Sequence, residues 1–325
     1  MNVLGIETSC DETSAAVVKD GEWILSNLVV SSLNEHQKYG GVIPEIASRR
    51  QLEYITPIIR QSLKEAGLPL SKIDAIAVTS HPGLVGSLLV GLSFARALSA
   101  SLEIPLAEVD HIKAHIYANF LRKKNAPVRL TPQNAGFPCV GLVVSGGHTS
   151  LFLLKAADRF EEIGHTLDDA AGEAFDKVAR ILELGYPGGP VIDKLASTVP
   201  MTKLKFAPAK LLDSYDFSFS GVKTAVLYHE RDEQKRQKYS KAETAYAFQK
   251  SVIENLIDKS LKAMAHFHAK TLLIGGGVAA NSYLRRRLDE VSQEHDLNIF
   301  YPPLNLCIDN AAMIAGLGFY QLKPR

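Results

Sequence analysis

Three cysteines, Cys10, Cys139 and Cys307, are all that a chain of 325 residues carries, and their number and spacing exclude a disulfide framework. An odd count of scattered thiols fits a reducing compartment. An excess of charge is missing too. Lysine and arginine total 36 against 35 acidic residues, a formal net charge of +1, so no field of the whole molecule draws it onto nucleic acid or a membrane, and any nucleic-acid contact has to come from local patches. Nor is there a long hydrophobic run. The most apolar stretch, Gly83 to Leu102, is uncharged only between Pro82 and Arg96 and is broken up by glycine and serine. That piece is too short to cross a bilayer, and a buried core helix is expected there. The N-terminus reaches Glu7 after a few apolar residues with no basic segment before it, which reads as a first strand and not as a secretory signal. A cytoplasmic protein with no membrane contact is the expectation. What is present, 46% hydrophobic residues over this length, suffices for two core-bearing domains.

Val3 to Thr8, Ser14 to Lys19 and Trp23 to Ser31 read as a three-strand meander, with Asp20-Gly21 as a hairpin signal. Apolar residues at helical spacing predict a helix from Pro44 to Ala66, stopped by Gly67 and Pro69. A strand from Ile73 to Thr79 and the apolar helix follow. The pattern then recurs: strands Cys139 to Ser145, Thr149 to Lys155 and Phe160 to Gly164, a helix from about Asp169 to Leu184, a long helix opened by the capping box Ser240 with Glu243, a buried strand Thr271 to Ile274, and a helix from Asn281 to about Glu294. A repeated meander followed by helices and parallel-type strands argues for a duplicated two-lobed α/β protein that binds its ligand in a cleft between the lobes, at Gly-rich turns leaving the strands. The expected division is an N-terminal lobe over 1–125, completed by a C-terminal helix over 311–325, and a C-terminal lobe over 126–310.

Two groups of residues carry chemistry. In His111-Ile-Lys-Ala-His115 the imidazoles at i and i+4 share one helix face and can hold one metal ion; two surface or cap histidines would give the same spacing. Ile112 stands where a zinc peptidase needs its glutamate base, which disfavours peptidase chemistry. The best third ligand by residue type is Asp309, in the turn before the terminal helix, and two histidines with one carboxylate leave positions open for water or substrate. The second group is three turns at strand ends: Glu7 to Glu12, Ser145-Gly-Gly-His-Thr149, and Gly275-Gly-Gly-Val-Ala-Ala-Asn281. Small residues there let backbone N–H groups approach phosphates and a nucleotide plane. Singly each is weak; together they point to nucleotide binding.

The segments Glu7 to Thr13, Tyr39 to Arg49, His81 to Leu88, His111-x3-His115, Val144-Ser-Gly-Gly-His-Thr149, Asp168 to Lys177, Gly185 to Pro190, Phe217 to Gly221 and Gly275 to Asn281 occur in an order that resembles the TsaD family, bacterial tRNA threonylcarbamoyladenosine transferases. The resemblance spans nearly the whole chain and implies the duplicated actin/Hsp70/sugar-kinase ATPase fold. It implies transfer of a threonylcarbamoyl group from threonylcarbamoyl-AMP to N6 of the adenosine 3′ of the anticodon, in tRNAs reading codons that begin with A. By motif position, His111, His115 and Asp309 would hold iron or zinc, and Val143, Val144, Ser145, Gly146, Gly147, Asp176, Gly189, Asp193 and Asn281 would contact the adenylate. The family works with a paralogue lacking the metal site, TsaB, and a P-loop ATPase, TsaE. Asp11 or Glu12 would take a proton or steer the attacking amine. Gln51 and Ile308 depart from the His and Thr common at these positions in the family. For tRNA the candidate patches are Arg122-Lys123-Lys124, Lys203 with Lys205 and Lys210, and Arg285-Arg286-Arg287. His148 and His165 are expected at the cleft, and His36 and His229 on surfaces or helix ends. The competing reading is an ATP-dependent phosphotransferase or ATPase of the same fold, which would not need the histidine pair.

Overall fold

The run Val3-Leu-Gly-Ile6 offers no alternation, and the strand it forms, β1 (Asn2–Glu7), is buried along all but its first residue, as a strand covered on both faces should be. The computed structural model describes residues 1–123, 126, 130–209, 211 and 213–322. Two units emerge, Met1–Ala135 with Ala156–Arg159 and Pro302–Arg325, and Gly136–Lys155 with Phe160–Tyr301.

In the first unit β1 pairs antiparallel with β2 (Glu12–Lys19), which pairs antiparallel with β3 (Trp23–Ser31). On its other side β1 runs parallel to β4 (Ala75–His81), and β4 parallel to β5 (Leu106–Asp110). The short β6 (Arg122–Lys123) completes the order β5-β4-β1-β2-β3-β6. Leu4, Ile6, Val17, Ile76 and Val78 pack against Ile55, Ile58 and Ile59 of the helix Pro44–Ala66, whose ends fall where the sequence puts them, with Gly67 left-handed at φ 67°. Helix Ala311–Leu322 covers strands β1, β2, β4 and β5 of the same sheet. It comes so close that a β-carbon at Gly5 would collide with the carbonyl oxygen of Ala311.

The second unit repeats the plan. β7 (Cys139–Val144) is antiparallel to β8 (Thr149–Ala156) and parallel to β10 (Thr271–Gly275), which is parallel to β11 (Asn298–Phe300). With β9 (Arg159–His165) the order is β11-β10-β7-β8-β9, the first five strands of the other sheet over again. The capping box forms: Ser240 Oγ accepts from Glu243 N at 3.2 Å while Glu243 Oε2 accepts from Ser240 N at 2.9 Å.

Several expectations need correction. The first unit extends to Ala135 and includes Pro302 to Asn310, which the expected division gave to the other lobe. The reason is bonding to the first sheet: Ala311 N donates to Ser14 Oγ at 2.8 Å, and Asn310 and Ala312 bond to the Asn27 side chain. Helix Val85–Leu102 is not a buried core helix. Only its small residues Ser87, Gly91 and Ala95 are buried, whereas Val85 is 73% and Leu89 57% exposed. Among the described residues it is the one helix long and apolar enough to cross a membrane by length and composition, yet its small-residue face packs on β4 and on Thr8. His36 and His229 stand at helix ends, as expected, His36 closing Leu33–His36 and His229 in the last turn of Ser220–Arg231, and both are buried. Ser32 Oγ lies 3.0 Å from His36 Nε2, and Ile43 N donates to its Nδ1 at 3.2 Å.

Candidate active site

β5 ends in Asp110, whose carboxylate accepts from Ile112 N at 2.9 Å and Lys113 N at 3.1 Å and so caps the helix His111–Tyr117. One helical turn then separates the two imidazoles, with ring centroids 4.6 Å apart. The turn before Ala311 brings Asp309 to them: its Oδ1 is 3.5 Å from His111 Nε2 and 3.1 Å from His115 Nε2. One ligand atom from each of the three residues falls within 4.8 Å of the others. These are the three residues that the histidine spacing and Asp309's residue type were expected to bring together.

The electrostatics of this cluster are uneven. Burial by itself lowers the His111 pKa, but the facing Asp309 and Glu7 carboxylates outweigh it and raise it to about 9. His115 is fully buried, and neither of its ring nitrogens has a hydrogen-bond partner among the described residues. The 3.1 Å approach of its Nε2 to Asp309 does not have hydrogen-bond geometry. A buried imidazole without such a partner costs free energy, and a metal ion shared with His111 and Asp309 would satisfy it. The residues therefore fit a divalent ion.

Glu7, at the end of β1, was not singled out in the sequence, although a carboxylate in an otherwise apolar buried strand is the signal that could have found it. It is fully buried and 3.0 Å from His111 Nδ1. The loop that follows carries Asp11 and Glu12. Gln51, one of the two departures, donates from Nε2 to the Cys10 carbonyl at 2.9 Å and the Glu12 carbonyl at 3.1 Å, so an amide holds this loop. Burial raises the Glu12 carboxyl above its usual range, and the neighbouring Asp309 and Asp11 charges add to it. Burial likewise pushes the Cys10 thiol up, which removes it as a thiolate nucleophile. Ile308, the other departure, is exposed.

In the second unit the expected adenylate residues lie along a chain of contacts. Val143 and Val144 are buried at the end of β7. The turn after them closes with Ser145 N donating to the His148 carbonyl at 2.8 Å and His148 N to Ser145 Oγ at 3.1 Å. Gly172 N donates to the Ser145 carbonyl. From that helix, Ala171–Ile181, Asp176 Oδ1 accepts from Gly188 N at 2.7 Å, which fixes the start of helix Gly188–Ala196 beside Gly189. Burial raises the Asp176 carboxyl, and the Gly188 bond offsets only part of this. Farther along that helix Asp193 accepts from both the backbone N and the hydroxyl of Ser282, each at 2.9 Å. The neighbouring Asn281 caps helix Ser282–His295 through Leu284 N at 2.9 Å and donates to Gln249 Oε1 at 2.8 Å. Gly276, at φ 91°, closes the chain against the Val144 backbone, where a β-carbon would come within 2.8 Å of the carbonyl carbon. By contrast, β-carbons at Gly146, Gly147, Gly189 and Gly277 would meet nothing within 4 Å. Packing does not require glycine at these four, and the backbone is left bare. Asp176, Asp193 and Asn281 hold the turns together, a role that sequence reasoning had not given them, just as it missed Gly172 and Ser282.

The basic patches fare differently. Arg287 pairs with Glu254 at 2.8 Å and also with Glu290. Arg285 lies over the Tyr301 ring and donates to the Ala279 carbonyl at 2.7 Å, which leaves Arg286 as the exposed member of the triplet. Arg122 stacks on Trp23 and pairs with Glu22 at 2.7 Å. Lys203 and Lys205 are exposed; Lys124 and Lys210 lie outside the described residues. His165 is exposed and His148 half-buried.

Comparison with known proteins agrees with the ordered motifs. The family profile described as TsaD, tRNA N6-adenosine threonylcarbamoyltransferase, matches residues 23–316. A relative of that name from Caldicellulosiruptor saccharolyticus is 50% identical over 323 residues, 99% of this chain and 93% of its own. One from Fusobacterium nucleatum is 49% identical over 324 residues, 99% and 92% of the two chains. Among solved structures, full-length HypF in a phosphate- and nucleotide-bound form superposes with a TM-score of 0.64 at 15% identity, over 98% of this chain and 55% of that one. Component A of the Acidaminococcus fermentans (R)-2-hydroxyglutaryl-CoA dehydratase does so with a TM-score of 0.56 at 14% identity, over 99% and 98%. At such identities the likeness shows the fold alone, and it is the ATPase-like fold that the resemblance implied, in agreement with the duplicated α/β plan expected from the repeated meander.

Proposed function

The chain belongs to the TsaD family of tRNA N6-adenosine threonylcarbamoyltransferases, and from that premise we propose how its residues divide the work of transferring a threonylcarbamoyl group to N6 of a tRNA adenosine. The donor is threonylcarbamoyl-AMP and the acceptor the adenosine 3′ of the anticodon in tRNAs reading codons that begin with A, a cytoplasmic reaction. The observation that carries the reading is the cluster of the buried His111 and His115 with the half-buried Asp309, in which His115 has no hydrogen-bond partner. These three residues would hold one iron or zinc ion, which when bound supplies Lewis-acid stabilisation of charge developing on a carbonyl oxygen.

The chain's own residues do the rest. The bare backbone at Gly146, Gly147, Gly189 and Gly277 receives the adenylate, and Asp176 and Asp193 keep these turns in register. In the transfer the N6 amine attacks the carbamoyl carbon, and the bond from that carbon to the phosphate oxygen breaks. AMP leaves with the electron pair, and the amine proton passes to a carboxylate. Glu12, with Asp11 beside it in the loop that Gln51 holds, is the group we assign to that proton. Lys203, Lys205 and Arg286 are the exposed cations offered to tRNA phosphates. TsaB-like and TsaE-like partners complete the system.

The test is to incubate metal-loaded protein with preformed threonylcarbamoyl-AMP and unmodified tRNA, with and without the two partners, and to analyse the nucleosides by mass spectrometry. Modified adenosine that disappears in the His111→Ala/His115→Ala double variant supports the reading. No product from folded, metal-bound protein with both partners present overturns it.

A further inference from the structure

The fully buried Glu7 has no part in the scheme above, yet it makes the closest contact to an imidazole of the metal set from outside that set. We propose that Glu7 is a positioning residue that holds His111 with its proton on Nδ1, leaving Nε2 as the atom offered to the ion; this rests on the metal reading given under the proposed function.

The argument is one of hydrogen-bond direction. Ser9 N donates to Glu7 Oε1, and a backbone N–H cannot reverse its role. Thr79 Oγ1 donates to Oε2, and Oε2 also faces His111 Nδ1 at 3.0 Å. With Oε1 accepting from Ser9 N and Oε2 from Thr79 Oγ1, the Glu7 carboxyl is arranged as an acceptor toward Nδ1 as well, so Nδ1 carries the proton, and when an ion displaces the ring's other proton the lone pair offered to it is on Nε2. That is the nitrogen turned toward Asp309 Oδ1. The Ser9 hydroxyl, 3.2 Å from Nδ1, can accept or donate and so enforces neither tautomer. Carboxylate bonding to the far nitrogen of a ligating histidine is a general means of fixing ring orientation and raising ligand basicity. Here it is built into β1, the most enclosed strand of the first unit, so that the ligand geometry is anchored in the core.

Glu7→Gln tests this at nearly constant volume. Its one carbonyl oxygen is claimed by Ser9 N–H, which turns the amide NH2 toward His111 Nδ1. The amide then donates to Nδ1, the ring proton moves to Nε2, and the ligand atom is lost. With zinc as the probe and a chelator competition as the readout, the full chain is compared as wild type, Glu7→Gln and His115→Ala. Glu7→Gln is expected to bind zinc about 10–100-fold more weakly. In the zinc-loaded wild type, 15N-resolved imidazole spectra should show a protected, downfield proton on His111 Nδ1. Wild-type affinity in a folded Glu7→Gln variant, or a zinc-loaded wild type whose His111 Nδ1 carries no proton, overturns the role of Glu7; should the variant not fold, the wild-type spectrum decides alone. A wild type that holds no zinc, or holds it equally well as His115→Ala, overturns the metal reading itself and this role with it.

Discussion

After β1 the chain turns through Thr8 to Asp11 with the Glu7 carboxylate and the Ser9 hydroxyl facing His111, whereas after β7, the matching strand of the second unit, it turns through Ser145 to His148 around two glycines where an added β-carbon would meet nothing. The sheet order is the same and the chemistry at the corresponding point is not. One unit offers side-chain donor atoms converging on a point, suited to a metal ion; the other offers uncovered backbone, suited to the flat and charged parts of a nucleotide. A duplicated fold supplies two equivalent strand ends, and what each does depends on whether the first residues past the strand are side chains held in place or backbone left bare.

The comparison is broken most severely at the first unit's ligands. His115→Ala should abolish stoichiometric metal, read by elemental analysis, and lower transfer at least about 100-fold; a variant that retains both would show that the imidazoles are merely packed. In the second unit the glycines should fall into two classes. Gly276→Ala forces a β-carbon into the Val144 backbone at a positive φ and should cost about 2–3 kcal/mol in denaturant unfolding. Gly147→Val, into open space, should leave stability within about 0.5 kcal/mol while weakening adenylate binding roughly tenfold. The opposite pattern would remove the argument from bare backbone.

A third contrast concerns Asp169, which binds Lys177 and Lys223, each at 2.6 Å. Burial acts to raise its carboxyl, but the two lysines outweigh it and hold it below the usual range. A depressed folded pKa gives stability that is present above the unfolded value and lost as the pH falls through the folded one. Asp169→Asn should therefore cost about 1–2 kcal/mol at neutral pH, discounted for the partly exposed lysines, with the difference from wild type shrinking in acid. A difference that does not change with pH would refute the ion-pair account. The smallest effect is expected at Arg286→Ala, which should leave unfolding unchanged and reduce the salt dependence of tRNA binding by about one phosphate contact. Arg287→Ala, by contrast, should lower stability by removing the pairing with Glu254.

Periodicity and caps placed the elements well. Helix Pro44–Ala66 was bounded by its proline and glycine, and the long helix by Ser240 and Glu243, because these signals act within one turn of the residue that makes them. The site was legible in part for the same reason. The i, i+4 spacing put two imidazoles on one helix face, and three small-residue turns marked strand ends. What was not legible depends on atoms far away in the chain. Glu7 looks like any carboxylate at a strand end until His111 and Thr79 are folded onto it. Three arginines in a row read as a patch until Glu254 and Glu290 pair with Arg287 and Tyr301 faces Arg285, leaving Arg286 the exposed member with Glu290 3.9 Å away. An apolar helix reads as core, although its small residues take the side facing the sheet and leave Val85 and Leu89 outward.

By itself the sequence determined the duplicated α/β plan, the histidine pair and the glycine turns, since hydrophobic period, caps and local spacing act over a few residues and need no partner. Only the tertiary structure decided which carboxylates meet which imidazoles, which glycines are packed and which are bare, and which cations are already paired. Those outcomes depend on residues such as Glu7, His111 and Asp309 that are distant in the chain, and a hydrogen bond or a collision exists only once the fold has brought its two ends within a few ångströms.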